Sequence, residues 1–265
     1  MGVALMSIAV AATSGMFEVS KVHMQMQERQ LETTEAARSA ADMIVRDLRL
    51  GGACLPVTGD FVSLEGINSG TNDEIITRTG LTRPDLSCIR TVSLNDPLTA
   101  GSATITVESS EGFGNGMRAY IRHPDGEGEY FDVTAVNSPT QLGKGTTLSR
   151  DYPTTSGIFA VDERRFYLNT WTSSRGPQSE LMLQVGSKPA QSFAVGIEKL
   201  DVKYQLQRNC PACDLVNLPA DNAEWSLVDA LVLSVTARSE QPDKAGSYYR
   251  RTISVNVKPR NLLPR

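Results

Sequence analysis

The start of the chain decides the fold, and residues 1–52 read MGVALMSIAVAATSGMFEVSKVHMQMQERQLETTEAARSAADMIVRDLRLGG. No charged side chain occurs from Met1 to Phe17. From Glu18 to Leu50 there is neither proline nor glycine, so nothing in the sequence interrupts a helix. The pair Gly51 and Gly52 then supplies a stop signal. This stretch predicts one helix of about 50 residues and ~75 Å.

The two ends of this helix differ in character. The uncharged run covers about 26 Å, slightly less than a ~30 Å hydrocarbon core. Further along, apolar residues recur at helical spacing, at Val22, Met26, Ala37, Ala40, Ile44 and Leu48. We therefore expect the first third of the helix to suit lipid and the last third to pack on a domain. Because the run starts at residue 1 without a positively charged region, we expect it to be the later part of a longer apolar segment.

Beyond Gly52 the pattern changes to short segments in which apolar and polar residues alternate, as strands do. Connections rich in Gly, Pro, Asn and Ser separate these segments. A hairpin is predicted around Pro124, Asp125 and Gly126. Strands are predicted at 103–107, 117–122, 130–136, 157–161, 164–169, 180–185, 197–206, 229–238 and 250–258. The run from 96 to 160 is interpreted as a possible inserted β subdomain.

Composition and charge exclude several classes of function. The 265 residues are 40% hydrophobic and 21% charged, which is enough for a globular core. A net charge of −4 and a pI near 5.4 leave no basic surface, so no nucleic-acid partner is expected. His23 and His123 are the only imidazoles, and no Gly-x-Ser-x-Gly motif occurs. The sequence therefore predicts no enzyme, no catalytic residue, no cofactor and no metal site.

Acidic residues around the predicted hairpin leave one alternative to that statement. Asp125, Glu127, Glu129 and Asp132 could hold calcium, although they do not match the EF-hand pattern. A solvated hairpin tip is the simpler interpretation.

Four cysteines occur, at Cys54, Cys88, Cys210 and Cys213. An even count favours two disulfides, and one tetrahedral zinc site is the alternative. Cys210 and Cys213 lie in a predicted loop, which favours a small disulfide-closed loop over a redox motif at a helix start. A bond between Cys54 and Cys88 would then close a loop of about 35 residues at the helix exit.

The C-terminal third carries a resemblance to a known family. Residues 192–204, SFAVGIEKLDVKY, resemble the "apolar-x-x-Gly-Ile-x-x-Leu-x-Val-x-Tyr" pattern of PilW-like minor pilins and the related PulJ/GspJ-type pseudopilins. Trp225 then leads into an apolar strand. The ending 249–262, YRRTISVNVKPRNL, is similar to the basic pair, alternating strand and Arg-Asn with which the family closes. Segments 73–78 and 111–121 resemble earlier parts of its head, so the matches cover most of the chain in order.

One part of the family pattern is missing. Its cleavage site has a Gly, usually followed by Phe, with Glu at the fifth position of the mature chain. Here Gly2 is followed by Val3, and Ser7 stands at that fifth position.

The resemblance implies an α+β fold, with a long N-terminal helix packed on a mostly antiparallel, pilin-like β head. Residues 1–52 would form the membrane or filament-core helix and 53–265 the head. The implied function is that of a minor pilin or pseudopilin, a subunit of a type IV pilus or type II secretion pseudopilus in a tip or priming complex.

The same resemblance implies partners and a location. The partners would be other minor pilins and the major pilin, with the inner membrane before assembly. The expected location is the inner membrane with a periplasmic head, and later the tip of an extracellular filament. The helix residues expected to pack in the filament are Met6, Val10, Met16, Val19, Val22 and Met26. The alternative is a membrane-anchored extracytoplasmic binding module or adhesin that forms no filament.

Overall fold

The computed structural model describes residues 2–56, 61–68, 72–94, 97–173, 176–208, 213–221, 224–225, 227–243 and 246–259. At residues 2–15, 18 and 19 the description covers the helical backbone and not the side chains.

The chain starts with a single long helix. Helix α1 runs from Gly2 to Leu50, a length of 49 residues. It ends where Gly52 takes a left-handed conformation, with φ of +79°, which glycine adopts without a steric penalty. The Gly52 amide donates to the carbonyl of Arg78 at 2.8 Å, so the helix exit is bonded directly to the domain.

The remainder is built of strands. They are β1 (Leu64–Ile67), β2 (Glu74–Gly80), β3 (Arg90–Val92), β4 (Thr104–Thr106), β5 (Arg118–Arg122), β6 (Gly128–Ser138), β7 (Gln141–Lys144), β8 (Gly157–Ser173), β9 (Gly176–Val185), β10 (Gln191–Val195), β11 (Ile197–Leu206), β12 (Leu215–Val216), β13 (Val228–Arg238) and β14 (Arg250–Val257).

Two sheets contain all of these strands, and the described pairings are antiparallel. The larger sheet has ten strands in the order β1-β2-β8-β5-β6-β7-β4, with β3 and β9 also on β8 and β10 on β9. The smaller sheet has four strands in the order β12-β11-β13-β14. Both sheets meet the second half of α1.

Gly196 joins the two sheets. It lies between β10 of the larger sheet and β11 of the smaller one, with φ of +79°. Its amide donates to Ser179 of β9 at 2.8 Å, and its carbonyl accepts from Arg238 of β13 at the same distance. The chain therefore changes sheets at a residue that is bonded to both. A side chain in this left-handed conformation would be strained.

The main core lies where the helix and the two sheets meet. On α1 its fully buried residues are Ala37, Ala40, Ala41, Ile44, Val45 and Leu48. They pack with Ile75, Phe166 and Leu181 of the larger sheet and with an apolar face of β11 and β13. Two further clusters, one around Ile105, Phe131 and Ile158 and one around Tyr120, contain no residue of the helix.

The predicted α+β class is wrong. The chain is mostly antiparallel β-sheet, with one helix and two sheets in the described residues, and a long helix on a pilin-like β head describes it only loosely. The physical reason is that most of the apolar core is formed between strands and only part of it lies against the helix. The helix contributes one face of its second half to one cluster, whereas two other clusters are formed by the strands and their connections.

The segment from 96 to 160, interpreted as a possible insertion, supplies β4 to β7 and the start of β8. Its strands continue the larger sheet through the pairing of β5 with β8. Its apolar side chains make up most of the second cluster, to which Ile89 also belongs.

An ion pair adds a polar link between the helix and the larger sheet. Asp47 of α1 is 4% exposed and accepts from Arg164 of β8 at 3.1 Å. Arg164 also donates to Asp162 at 2.9 Å. Burial raises the pKa of the Asp47 carboxyl above its usual value, and the guanidinium of Arg164 opposes that shift. This pair thus links the helix to the sheet at an electrostatic cost, because the Asp47 carboxylate is removed from water.

Replacing Ile44 by Ala is expected to lower the free energy of unfolding by about 2–5 kcal/mol, because its side chain is fully buried between helix and sheet. Chemical denaturation of the full chain measures this loss.

The matched control is Leu31→Ala on the same helix, where the side chain is 60% exposed. That change is expected to alter the stability of the isolated chain by no more than about 0.5 kcal/mol. Equal losses in both variants would contradict the position assigned to the core.

Candidate functional site

Residues 16–31 of helix α1, its exposed half, present large apolar side chains to solvent. Phe17 is 76% exposed, Met24 69% and Leu31 60%. Met16, Val22 and Met26 are also exposed. Exposed apolar side chains grouped in this way are unusual on the surface of an isolated protein, which makes this stretch a candidate contact surface.

These side chains lie along two sides of the helix. Val22 and Met26 continue the face that packs on the sheets further along, at Thr33, Ala37 and Ile44. Phe17, Met24 and Leu31 follow one another at intervals of seven, which keeps them on one side with a drift of about 20° per step. At 3.6 residues per turn, this second line lies about 150° around the helix from the packing face.

An apolar groove accompanies the first of these two faces. It has a volume of about 460 Å³ and lies between the helix and the connection from β13 to β14. Val22 and Met26 form one wall, and Pro242, Tyr248 and Tyr249 form the other. Arg29 spans the groove at one point, where its Nη1 donates to the carbonyl of Pro242 at 3.2 Å.

The residues predicted to pack in a filament are placed as follows. Met16, Val22 and Met26 lie exposed on the helix. The side chains of Met6, Val10 and Val19 lie outside the described residues. Phe17, Met24 and Leu31 were not included in the prediction. Their seven-residue spacing was visible in the sequence, but they lie off the stripe that the buried half of the helix defines.

A disulfide lies at the helix exit. Cys54 and Cys88 are bonded, with Cα atoms 5.4 Å apart and a separation of 34 in the sequence. Cys54 has a left-handed backbone, with φ of +61°. Cys213 is also in a disulfide, and Cys210 lies outside the described residues.

The carboxylates of the acidic hairpin bond to other groups of the same protein. Asp125 accepts from Arg150 at 2.8 Å, and Glu127 also bonds Arg150. Glu129 accepts from the Ser149 amide at 2.9 Å and from the Tyr152 hydroxyl at 3.0 Å. His123 contacts Asp125 at 2.7 Å. Among the described residues, no group of three or more His, Cys, Asp or Glu side chains is arranged to hold a metal ion.

The predicted location is wrong. In the part of the chain that the structure describes, no helix is both long enough and apolar enough to cross a bilayer. An inner-membrane position with a periplasmic head, followed by an extracellular filament tip, is therefore not supported. The prediction relied on the absence of charge from Met1 to Phe17, a run that also contains Ser7, Thr13 and Ser14.

In comparisons with known proteins, no family model matches this chain, and no curated protein matches it significantly.

The hairpin provides a pH-dependent test of the ion pairs described above. The Arg150 guanidinium beside Asp125 holds the pKa of that carboxyl at about 2. Because this pKa is lowered on folding, the stability that Asp125 contributes is present above about pH 4 and is lost as the pH falls toward about 2. The difference in unfolding free energy between the natural chain and Asp125→Asn is therefore expected to shrink across that range.

Thermal unfolding at a series of pH values measures this difference. Since both side chains of the pair are partly exposed to solvent, high salt is expected to reduce the difference at neutral pH as well. A difference that stays constant from neutral pH to about pH 2 would contradict the role given to Arg150.

Proposed function

We propose that this chain is a structural subunit of a helix-packed filament. The specific proposal is a minor pilin or pseudopilin of a type IV pilus or a type II secretion pseudopilus. In this role it joins other minor pilins in a tip or priming complex and contacts them and the major pilin through its helix.

The observation that carries the proposal is the pair of apolar lines on the exposed half of α1. A helix that binds a single partner needs one apolar face. This helix offers a second line, Phe17, Met24 and Leu31, about 150° from the first. Apolar residues on opposite sides suit a helix with neighbours on both sides, as in a bundle.

The chemistry of the lines also suits contacts with several different helices. Met24 and Met26, one on each line, are unbranched and polarizable, so their side chains adapt to partners of different shape. The residues of the second line recur every seven positions, as apolar residues do in helices that pack along their length. Both features favour packing between helices over recognition of a small ligand.

The other half of the helix supports the same function by being fixed to the domain. Its face from Ala37 to Leu48 is buried, and Asp47 is paired with Arg164 of the larger sheet. A contact made on the exposed half therefore positions the whole β domain relative to the neighbouring subunit.

The resemblance to PilW-like minor pilins gives independent support from another part of the chain. Its Gly-Ile pair corresponds to Gly196 and Ile197, which stand at the junction of the two sheets. A glycine in this place has a structural reason, so the motif identifies a structural feature beyond a common strand pattern.

Deleting the gene in the organism that carries it, and counting filaments by electron microscopy, tests the proposal. Deletion is expected to reduce the number of filaments severalfold, and the natural chain is expected to restore it. The double variant Phe17→Ser with Met24→Ser is expected not to restore it, because the second apolar line is lost.

The matched control is Gln27→Ser, an exposed position between the two lines, which is expected to restore filaments fully. The double variant should unfold at the same denaturant concentration as the natural chain, since both side chains are exposed. An unchanged filament count after deletion would contradict the proposal. So would full restoration by the double variant.

A further inference from the structure

Strand β14 has a free edge. It is the last strand of the smaller sheet and pairs with β13 alone, over eight consecutive residues without a shift in register. In an antiparallel pair, alternate residues direct their backbone groups toward the neighbouring strand, and the others direct them away from it. The outward groups of an edge strand are therefore open to another chain.

Three contacts identify the outward-facing residues of β14. The Ser239 amide donates to the carbonyl of Tyr249 at 2.8 Å. Every second pair of the register counted from this one therefore exchanges backbone hydrogen bonds between β13 and β14. The Arg238 amide donates instead to Gly196, on the opposite side of β13. The hydroxyls of Ser234 and Ser254 lie 2.8 Å apart, which suits a pair that is not hydrogen-bonded through its backbone.

The residues whose N–H and C=O groups point to the free edge are Arg250, Thr252, Ser254 and Asn256. All four are exposed. Within the described part of the chain, no residue forms a hydrogen bond to their backbone amides.

This edge differs from the other ends of the two sheets. Soluble proteins keep edges from pairing with other chains by making them short, bulged or covered. The strands β12, β3, β4 and β1 have two, three, three and four residues. Strand β10 has five and is interrupted by a bulge between Ser192 and Ala194. Strand β14 has eight residues, with no bulge and no proline before Pro259.

The side chains beside the edge indicate what would bind. On the side that faces the helix, Ile253 and Val255 pack against the main core and are only half-buried. A strand placed next to them would complete their burial with its own apolar side chains. On the opposite side, the hydroxyls of Thr252 and Ser254 favour polar side chains on the added strand.

Charge selects between a second copy of this chain and a different partner. Residues 250–259, RRTISVNVKP, contain three cations and no acid. Glu198 pairs with Arg250 and Asp229 with Lys258, whereas Arg251 has no carboxylate partner among the described residues. Two copies paired in parallel would bring their arginines together. Antiparallel copies would bring the arginines near Lys258, and like charges on adjacent strands are destabilising.

We propose that the free edge of β14 is a strand-addition site for an extended, acidic segment of a different protein chain, in which apolar and polar residues alternate. Backbone hydrogen bonds supply most of the affinity in this mode of recognition, and alternate side chains supply the specificity. The site uses no residue of the exposed half of the helix, so its test does not depend on the proposed filament function.

The test uses the purified full chain and a synthetic peptide of alternating Thr and Val with two aspartates at each end. Binding is measured by fluorescence anisotropy of the labelled peptide. Saturable binding is expected, and the same peptide with lysines in place of the aspartates is expected to bind at least about tenfold more weakly. In Arg251→Glu, the preference between the two peptides should shift toward the lysine peptide.

The decisive comparison is Ser254→Pro against Ser254→Ala. Proline removes an outward N–H and places its ring on the free edge, whereas the bonds to β13 remain. Ser254→Pro is expected to weaken binding about tenfold or more, and Ser254→Ala is expected to bind as the natural chain does. Equal binding by the two variants would overturn the proposal, as would the absence of saturable binding.

A modified peptide keeps the test valid if Ser254→Pro does not fold. N-methylation of every second amide removes the donors along one edge of the peptide, and two such peptides exist, one for each edge. The peptide that is methylated on the edge facing β14 is expected to lose binding. Retained binding by both registers of N-methylated peptide would overturn the proposal. Sedimentation that shows dimers of the natural chain, but not of Ser254→Lys, would identify a second copy as the occupant and overturn the choice of partner.

Discussion

The packing of the small-residue face of α1 against both sheets is the contact on which the rest of the structure depends. Ala37, Ala40 and Ala41 are fully buried, and their short side chains allow the helix backbone to lie close to the strands. The same cluster includes Ile75 and Phe166 of the larger sheet and Leu231 and Leu233 of the smaller one. The two sheets also contact each other directly, at Gly196 and through Asp73 beside β2, whose amide donates to the Leu200 carbonyl at 3.0 Å and whose carboxylate accepts from the Val202 amide at 2.8 Å. The exposed half of the helix is held in a defined direction because the buried half is fixed on two sheets at once.

Local sequence signals predicted the elements well, because their causes are local. The run without proline or glycine and the pair Gly51 and Gly52 predicted a helix that ends at Leu50. Alternation predicted most of the longer strands, including β5, β11, β13 and β14. Two predicted segments, 157–161 and 164–169, are instead one strand, β8. The polar pair that separated them, Asp162 and Glu163, is tolerated because Asp162 pairs with Arg164 of the same strand and Glu163 pairs with Arg78 across the sheet. Arg78 is 85 positions from Glu163, so no local pattern reveals this second partner.

The features that failed to be predicted depend on tertiary contacts. The fold class was wrong because the sequence gives the length of the helix but not the share of the core that its one buried face supplies. The location was wrong because absence of charge is a weaker property than apolarity. At the candidate site, the stripe through Val22 and Met26 could be predicted from periodicity. The second line through Phe17 and Leu31 became recognisable only when its exposure was known. The free edge of β14 is likewise a property of strand order, which alternation does not determine.

The order in which the elements are synthesised matters because the helix packs on strands that come much later in the chain. The helix is made before the strands, and β13 and β14, which supply one of its main packing surfaces, come much later in the chain, between Val228 and Val257. The apolar face from Ala37 to Leu48 is therefore not fully buried until the chain as far as Val257 has left the ribosome. Contacts between distant parts of a chain slow folding and prolong the exposure of apolar surface. The topology of this protein therefore favours protection of the nascent helix, by a chaperone or by a binding partner, during its biogenesis.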